Sequence, residues 1–227
     1  MSYGFTVEVW GDYACFTRPE LKVERVSYEV MTPSAARGLL EAVFWKPEIM
    51  YVIDEIAVCT PIKMENIRRN EVNSKISYST PETAAKKLQD GNLGLSAASD
   101  RAQRSAIVLK DVRYVIKAHF ELTETATDND TPGKYTAMIR RRLEKGQCFH
   151  MPYLGTREFP ANIQLIDEDN YTPIPETRPL GLMFYDFDYD KSVDSKGEIT
   201  VNSWNPTYFM AELVNGVMDL RNVEVLQ

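Results

Sequence analysis

Apolar and polar residues alternate at the start of the chain. Phe5, Val7 and Val9 fall on one side, Thr6, Glu8 and Trp10 on the other. A period of two predicts a β-strand over Phe5 to Phe16. The period then lengthens: Ala36, Leu39, Leu40 and Val43 recur at helical spacing. Thr32 suits the N-cap and Pro33 the first turn, where a missing N–H costs nothing. Pro47 disfavours helical geometry at Lys46, so this helix ends at Phe44-Trp45-Lys46-Pro47. Tyr51 to Thr60 is rich in β-branched residues and predicts a second strand. Ile62 to Asp111 is less regular, and predicts two polar hairpin arms around a mobile stretch from Lys87 to Gly94. The alternation from Val112 to Leu122 is the cleanest in the chain, with Tyr114, Ile116 and Phe120 opposite Arg113, Lys117 and His119. A second helix follows over Lys134 to Lys145, closed by Gly146. A fourth strand follows near Phe159 to Ile166.

That order predicts an α+β fold: a ferredoxin-like βαββαβ domain, of the kind seen in RNA-recognition domains, with a long hairpin insertion. Its two helices cover one sheet face and leave the other free for a ligand. After the Pro-rich stretch Thr172 to Pro179 the pattern changes. Met183, Tyr185, Phe187 and Tyr189 alternate with Phe184, Asp186 and Asp188. DSKG (194–197) reads as a turn, Glu198 to Trp204 and Phe209 to Leu213 as strands, and Asn215-Gly216 as a hairpin turn. The expected division is residues 1–170 for the ferredoxin-like domain and 171–227 for a small antiparallel β-sheet domain.

Composition narrows the function classes. The chain has 227 residues, 44% hydrophobic, enough for a sizeable core. It lacks a run of about 18 apolar residues, so no membrane span is expected. The N-terminus resembles a strand rather than a signal peptide, and Cys15, Cys59 and Cys148 are odd in number. Both features suit reduced thiols and a cytoplasmic protein. The net charge of −7 is unevenly placed. Through Gly146 the chain carries 21 Lys and Arg against 20 Asp and Glu; after it, 5 against 13. The N-terminal part can therefore present a local basic face to phosphate.

No metal cluster, catalytic triad motif or nucleotide-binding glycine loop is present in the sequence, and no metal or cofactor is expected. The acids of DFDYD (186–190) fit the solvent face of a strand better than a cation site. One grouping carries chemistry. Gly133-Lys134-Tyr135 lies where the second helix begins, and free backbone N–H groups there favour a phosphate. Lys134 adds a full charge. The same residues also fit an ordinary helix start. RNA can be cut without metal when its own 2′-hydroxyl attacks the adjacent phosphate, given positioning and charge stabilisation. Arg68, Arg69, Arg101 and Arg104 in the insertion, with Lys22 and Arg25 in the first loop, are candidates for RNA backbone contacts.

These stretches together carry a resemblance. GDYACFTRPELKVERVSYEVMTPSAARGLLEAVFWKPE (11–48), KDVRYVIKAHFEL (110–122), GKY (133–135) and YLGTREFPA (153–161) look like the CRISPR-associated Cas-five family of the RAMP superfamily, subtype I-C. The resemblance implies a ferredoxin-like RAMP domain and a small β-rich domain. It implies metal-independent cleavage of precursor CRISPR RNA within the repeat hairpin, leaving a 2′,3′-cyclic phosphate. It also implies retention on the guide RNA 5′ handle within Cascade, beside the backbone and large subunits. The alternative is a non-catalytic 5′-handle-binding structural subunit; a third reading is general RNA or DNA binding through the basic insertion, and double-stranded DNA is a further candidate partner. The family's catalytic Tyr, Lys and His correspond here to Phe44, Lys134 and Tyr135. Phe44 can only stack or shape the pocket. Tyr135 can donate a hydrogen bond but is a poor base near neutrality. His119 and Lys117 are alternative proton carriers.

Overall fold

The computed structural model describes residues 4–75, 82, 85–86, 96–167, 170–193 and 199–227, with the backbone alone at 191–193 and 199. The DSKG turn, Glu198 and the stretch from Lys87 to Gly94 lie outside the described residues. In chain order the elements are β1 (Phe5–Ala14), β2 (Arg25–Val26), α1 (Pro33–Val43), β3 (Ile49–Val58), β4 (Met64–Val72) and β5 (Arg101–Leu122). Then come α2 (Pro132–Glu144), β6 (Asn162–Ile166), β7 (Arg178–Val193), β8 (Ile199–Leu213) and β9 (Val217–Asp219).

The main sheet runs β6-β1-β5-β3-β9, antiparallel at each step. Val9 lies opposite Tyr114, and Tyr51 opposite Phe120. β5 is twice as long as the alternation from Val112 predicts. Its first half, from Arg101, forms the insertion's second arm and pairs with β4 on one side and β2 on the other. The junction is Asp111, with φ of 52°, a left-handed residue that lets one strand serve both sheet and arm.

Both helices begin as local chemistry dictates. Thr32 Oγ1 accepts from the Ala35 N–H at 3.3 Å, with Pro33 next in line. Ala36, Leu39, Leu40 and Val43 are buried, the face their spacing predicts. α2 starts two residues earlier than expected, because Pro132 follows the Thr131 cap directly; Tyr135, Ile139 and Leu143 form its buried face. The core between helices and sheet includes Val7, Val9, Ile116, Leu39 and Ile139, all at most 2% exposed. Burying each such side chain stabilises by roughly 1.5–3 kcal/mol.

The cluster continues into Met183, Phe209, Leu213 and Met218. β7 and β8 form a two-stranded ribbon, and β9 returns to pair with β3. The Asn215-Gly216 turn, with φ of 49° and 77°, makes that return. Arg37 ties the ribbon to α1. Its Nε and Nη2 donate to Asp186 at 2.6 and 2.8 Å, and Nη1 donates to Glu41 at 2.5 Å.

The second sheet face is not a basic platform. Glu8 is buried against Arg113 and accepts from Gln164 Nε2 at 2.6 Å. Lys117 pairs with Glu55 at 3.4 Å and lies over the Tyr171 ring, and His119 Nδ1 meets Asp54 at 2.9 Å. Opposite charges placed side by side on neighbouring strands satisfy one another, so the face offers little field to a polyanion.

Candidate active site and nucleic-acid interface

α1 ends on a packed aromatic group. Phe44 is 4% exposed, and its ring centroid lies 6.2 Å from that of Tyr135. Tyr135 in turn meets Phe120 edge-on at 6.3 Å. The Tyr51 hydroxyl donates to the Phe44 carbonyl at 2.7 Å. Arg142 stacks 5.2 Å over the Phe44 ring and donates to the Val43 carbonyl at 2.9 Å. One helix end is thereby fastened to β3 and to α2. Phe44 shapes this wall from inside and presents almost no surface to a substrate.

Lys134 lies in the first turn of α2, its side chain 44% exposed. Its ammonium donates to Asp130 Oδ1 at 3.0 Å. The Tyr135 hydroxyl donates to the same oxygen at 2.7 Å. Asp130 Oδ2 accepts from the N–H and hydroxyl of Thr127 at 3.0 and 2.7 Å. The Thr127 hydroxyl, then Tyr135, the Thr127 N–H and Lys134 hold the Asp130 carboxyl well below the usual carboxylate range. Burial, and next the bond to Asp130, push the Tyr135 phenol upward. Its proton is committed to a carboxylate, so it is no base near neutrality. The structure therefore gathers Phe44, Lys134 and Tyr135 at one place and adds Asp130, which the sequence reading missed. The signal was available: Asp130 and Lys134 stand four apart, a pairing distance at a helix start.

His119 and Lys117 do not join this group. Phe120 contacts Tyr135, and strand alternation sends residues 117 and 119 to the other sheet face.

The basic candidates separate into two sets. Arg25, Arg69 and Arg104 gather around Glu71 and Glu158. Arg69 Nη1 is 2.8 Å from Glu71 and 2.9 Å from Glu158. Arg25 is 3.0 Å from Glu158 and 3.6 Å from Glu71, and Arg104 is 3.6 Å from Glu71. Three guanidinium groups facing two carboxylates leave one unit of positive charge. The Nε and Nη2 of Arg69 are buried without a hydrogen-bond partner. Glu158 reaches the cluster from a loop seated by Gly155, whose φ of 85° and close approach to the Cys15 carbonyl leave no room for a Cβ. Lys22, Arg68 and Arg101 are exposed. The cluster lies along the first half of β5 and the Phe120–Tyr135 contact near its end. From Arg104 to Phe120 is on the order of 50 Å of strand contour at ~3.3 Å per residue.

Among the described residues, no group of three or more His, Cys, Asp or Glu side chains is placed to hold a metal. No helix there is long and apolar enough to cross a membrane.

The site thus combines an α+β scaffold, an arm whose arginines are shared with two carboxylates, and a lysine at a helix start beside a packed aromatic wall. The family is shown by comparison. Residues 4–221 match the family model described as CRISPR-associated protein (Cas_Cas5), and the chain belongs to that family. It is 46% identical over 226 residues to the CRISPR pre-crRNA endoribonuclease Cas5d of Mannheimia succiniciproducens, covering 97% of this chain and 96% of that one. It is 50% identical over 155 residues to the protein of the same name from Thermus thermophilus, covering 68% of this chain and 61% of the relative. Among solved structures, a CRISPR-associated protein superposes with a TM-score of 0.66 at 23% identity, over 97% of this chain and 93% of that one. A functionally uncharacterized protein from Streptococcus mutans gives 0.64 at 23% identity, with the same coverage. At that identity the two structures speak to the fold alone.

Proposed function

We propose that this chain is a metal-independent endoribonuclease that cuts precursor CRISPR RNA in its repeat hairpin and then holds the guide RNA 5′ handle within Cascade. The observation that carries the reading is the 46% identity, over nearly the whole length of both chains, to a pre-crRNA endoribonuclease. In the proposed step the RNA 2′-hydroxyl loses its proton to solvent as its oxygen bonds to the adjacent phosphorus, and the P–O5′ bond breaks as the 5′-oxygen takes up a proton from solvent. The products are a 2′,3′-cyclic phosphate and a 5′-hydroxyl. Lys134 is assigned the negative charge that grows on the phosphorane. Its ammonium sits on Asp130 and is half exposed, so an arriving phosphate has only one carboxylate to compete with. Phe44 and Tyr135 are assigned to the wall that fixes the Lys134 backbone, rather than to proton transfer.

We read β1-α1-β3-β5-α2-β6 as the ferredoxin-like unit; the sheet order β6-β1-β5-β3 supports that reading. Residues 1–170 form the RNA-handling domain in this account, and 171–227 the small β-rich part. Lys22, Arg68 and Arg101 supply direct phosphate contacts. Arg25, Arg69 and Arg104 supply a net positive field, because their guanidinium groups are shared with Glu71 and Glu158. Backbone and large subunits of Cascade, and double-stranded DNA in that assembly, are the proposed partners, in the cytoplasm.

The non-catalytic cap is the second reading, favoured by the burial of Phe44 and the engagement of the Tyr135 hydroxyl. Protein in excess over a synthetic repeat RNA, with EDTA present, separates the two. A discrete cut supports the enzyme; tight binding with intact RNA supports the cap.

A further inference from the structure

Just beyond Phe44 the surface changes character. Trp45 is 54% exposed, and Phe149 and Met151, which line the same groove, are 70% and 73% exposed. Scattered exposed apolar residues are ordinary, but several large ones around one concavity mark a binding surface. The groove has a volume of about 710 Å³ and is also lined by His150, Tyr153 and Arg157. That lies within the ~300–1,000 Å³ typical of small-ligand sites.

The groove is built rather than incidental. The N–H groups of Phe149 and His150 both donate to the Ala42 carbonyl, at 2.8 and 3.0 Å, fixing this backbone to the last turn of α1. The Phe149 and His150 rings meet edge-on with centroids 4.4 Å apart, and most of the Phe149 side chain remains exposed. Glu41, the carboxylate in the lining, accepts from Arg37, which also holds Asp186, while Arg157 is exposed and offers a cation to a phosphate. Lys145, four residues before Phe149, is exposed as well.

We propose that this groove is a stacking subsite for one unpaired nucleotide of the RNA. Trp45 and Phe149 take the faces of the base, and Arg157 takes its phosphate. Every base has a π-face, so such a subsite tolerates sequence while demanding a single strand. The proposal rests on the RNA-processing reading and gives it a strand-selecting site distinct from Lys134. An unpaired nucleotide flanking the repeat hairpin would be held here, on the backbone that continues directly from Phe44.

The test uses the full chain, a fluorescently labelled uridine decamer and the repeat hairpin RNA, at one fixed salt concentration. Phe149→Ala removes a side chain that is mostly in water, so its melting temperature should match wild type. It should weaken decamer binding about 5- to 150-fold, or ~1–3 kcal/mol at 1.4 kcal/mol per decade. Phe149→Tyr should stay within about threefold, and Arg157→Ala should reduce the salt slope by about one. A 4-thiouridine decamer should cross-link to Trp45 or Phe149. Wild-type binding and cleavage of the repeat, with Phe149→Ala unchanged on both RNAs, would overturn the subsite and leave the processing reading standing. Failure of wild type to bind either RNA would overturn both. Unchanged RNA affinity with loss of a Cascade subunit on co-purification would assign the groove to a protein and overturn the proposal.

Discussion

Replacing Lys134 by alanine tests how much of the reaction one ammonium group carries. The phosphorane bears one more negative charge than the phosphodiester it comes from, so only that extra charge counts. Two unit charges ~4 Å apart interact by ~4 kcal/mol at an effective dielectric near 20 and ~1 kcal/mol in water. Lys134 is 44% exposed and shared with Asp130 at 3.0 Å, which places it between those limits. The expected loss is ~2–3 kcal/mol, or about 30- to 150-fold in the single-turnover rate. RNA affinity should fall by much less, since binding involves many phosphates and this is one. Lys134→Arg should recover part of the rate by restoring charge without the same geometry. The assay is single-turnover cleavage of repeat RNA at saturating protein, with affinity measured separately. Lys134→Ala cutting at the wild-type rate would refute the assignment, and equal losses in rate and affinity would make Lys134 a binding residue only.

Tyr135→Phe keeps the ring between Phe44 and Phe120 and removes the hydroxyl that donates to Asp130; cleavage should stay within about fivefold, and a loss beyond 100-fold would restore a proton-transfer role. Arg37→Ala breaks a bidentate pair to Asp186 whose side chains are 22% and 21% exposed. Between exposed and fully buried pairs the cost is ~2 kcal/mol, or ~4–8 °C in Tm at this length; Asp186→Ala should add little to it, and additive shifts would count against the clamp. Asp219 accepts from Arg221, which lowers its carboxyl from 3.8 to about 2. A depressed carboxyl contributes stability that is full above its unfolded value and lost as pH falls through the folded one. The Tm difference between wild type and Asp219→Asn should therefore be largest above pH 4 and close between 4 and 2; a difference constant across that window would contradict it.

Much of this was legible where the physics is local. Thr32 followed by Pro33, and the spacing of Ala36, Leu39, Leu40 and Val43, specify α1 without reference to anything distant. The Asn215-Gly216 turn is equally self-contained. The first half of β5 does not show the core alternation of Val112 to Leu122, because the residues from Arg101 to Ser105 belong to an arm with little core to face. The basic candidates were found by type, but their pairing was not. Arg25 meets Glu158 from 133 residues away, and Arg37 meets Asp186 from 149. No spacing rule reaches that far. The second sheet face illustrates the same limit: Glu8, Arg113 and Gln164 neutralise one another only once β1, β5 and β6 are side by side. Around Lys134, helix start and charge were visible, whereas the burial of Phe44 and the exposure of Trp45 depended on which face of α1's last turn met α2.

Whether this chain cuts RNA through the RNA's own 2′-hydroxyl is tested most directly by end-group analysis of the repeat fragment formed by wild-type protein in EDTA. A 2′,3′-cyclic phosphate is expected on the upstream fragment and a 5′-hydroxyl downstream, with no product when the 2′-hydroxyl at the cut site is replaced by hydrogen. A 3′-hydroxyl with a 5′-phosphate, or cleavage of the deoxy-substituted repeat, would contradict it.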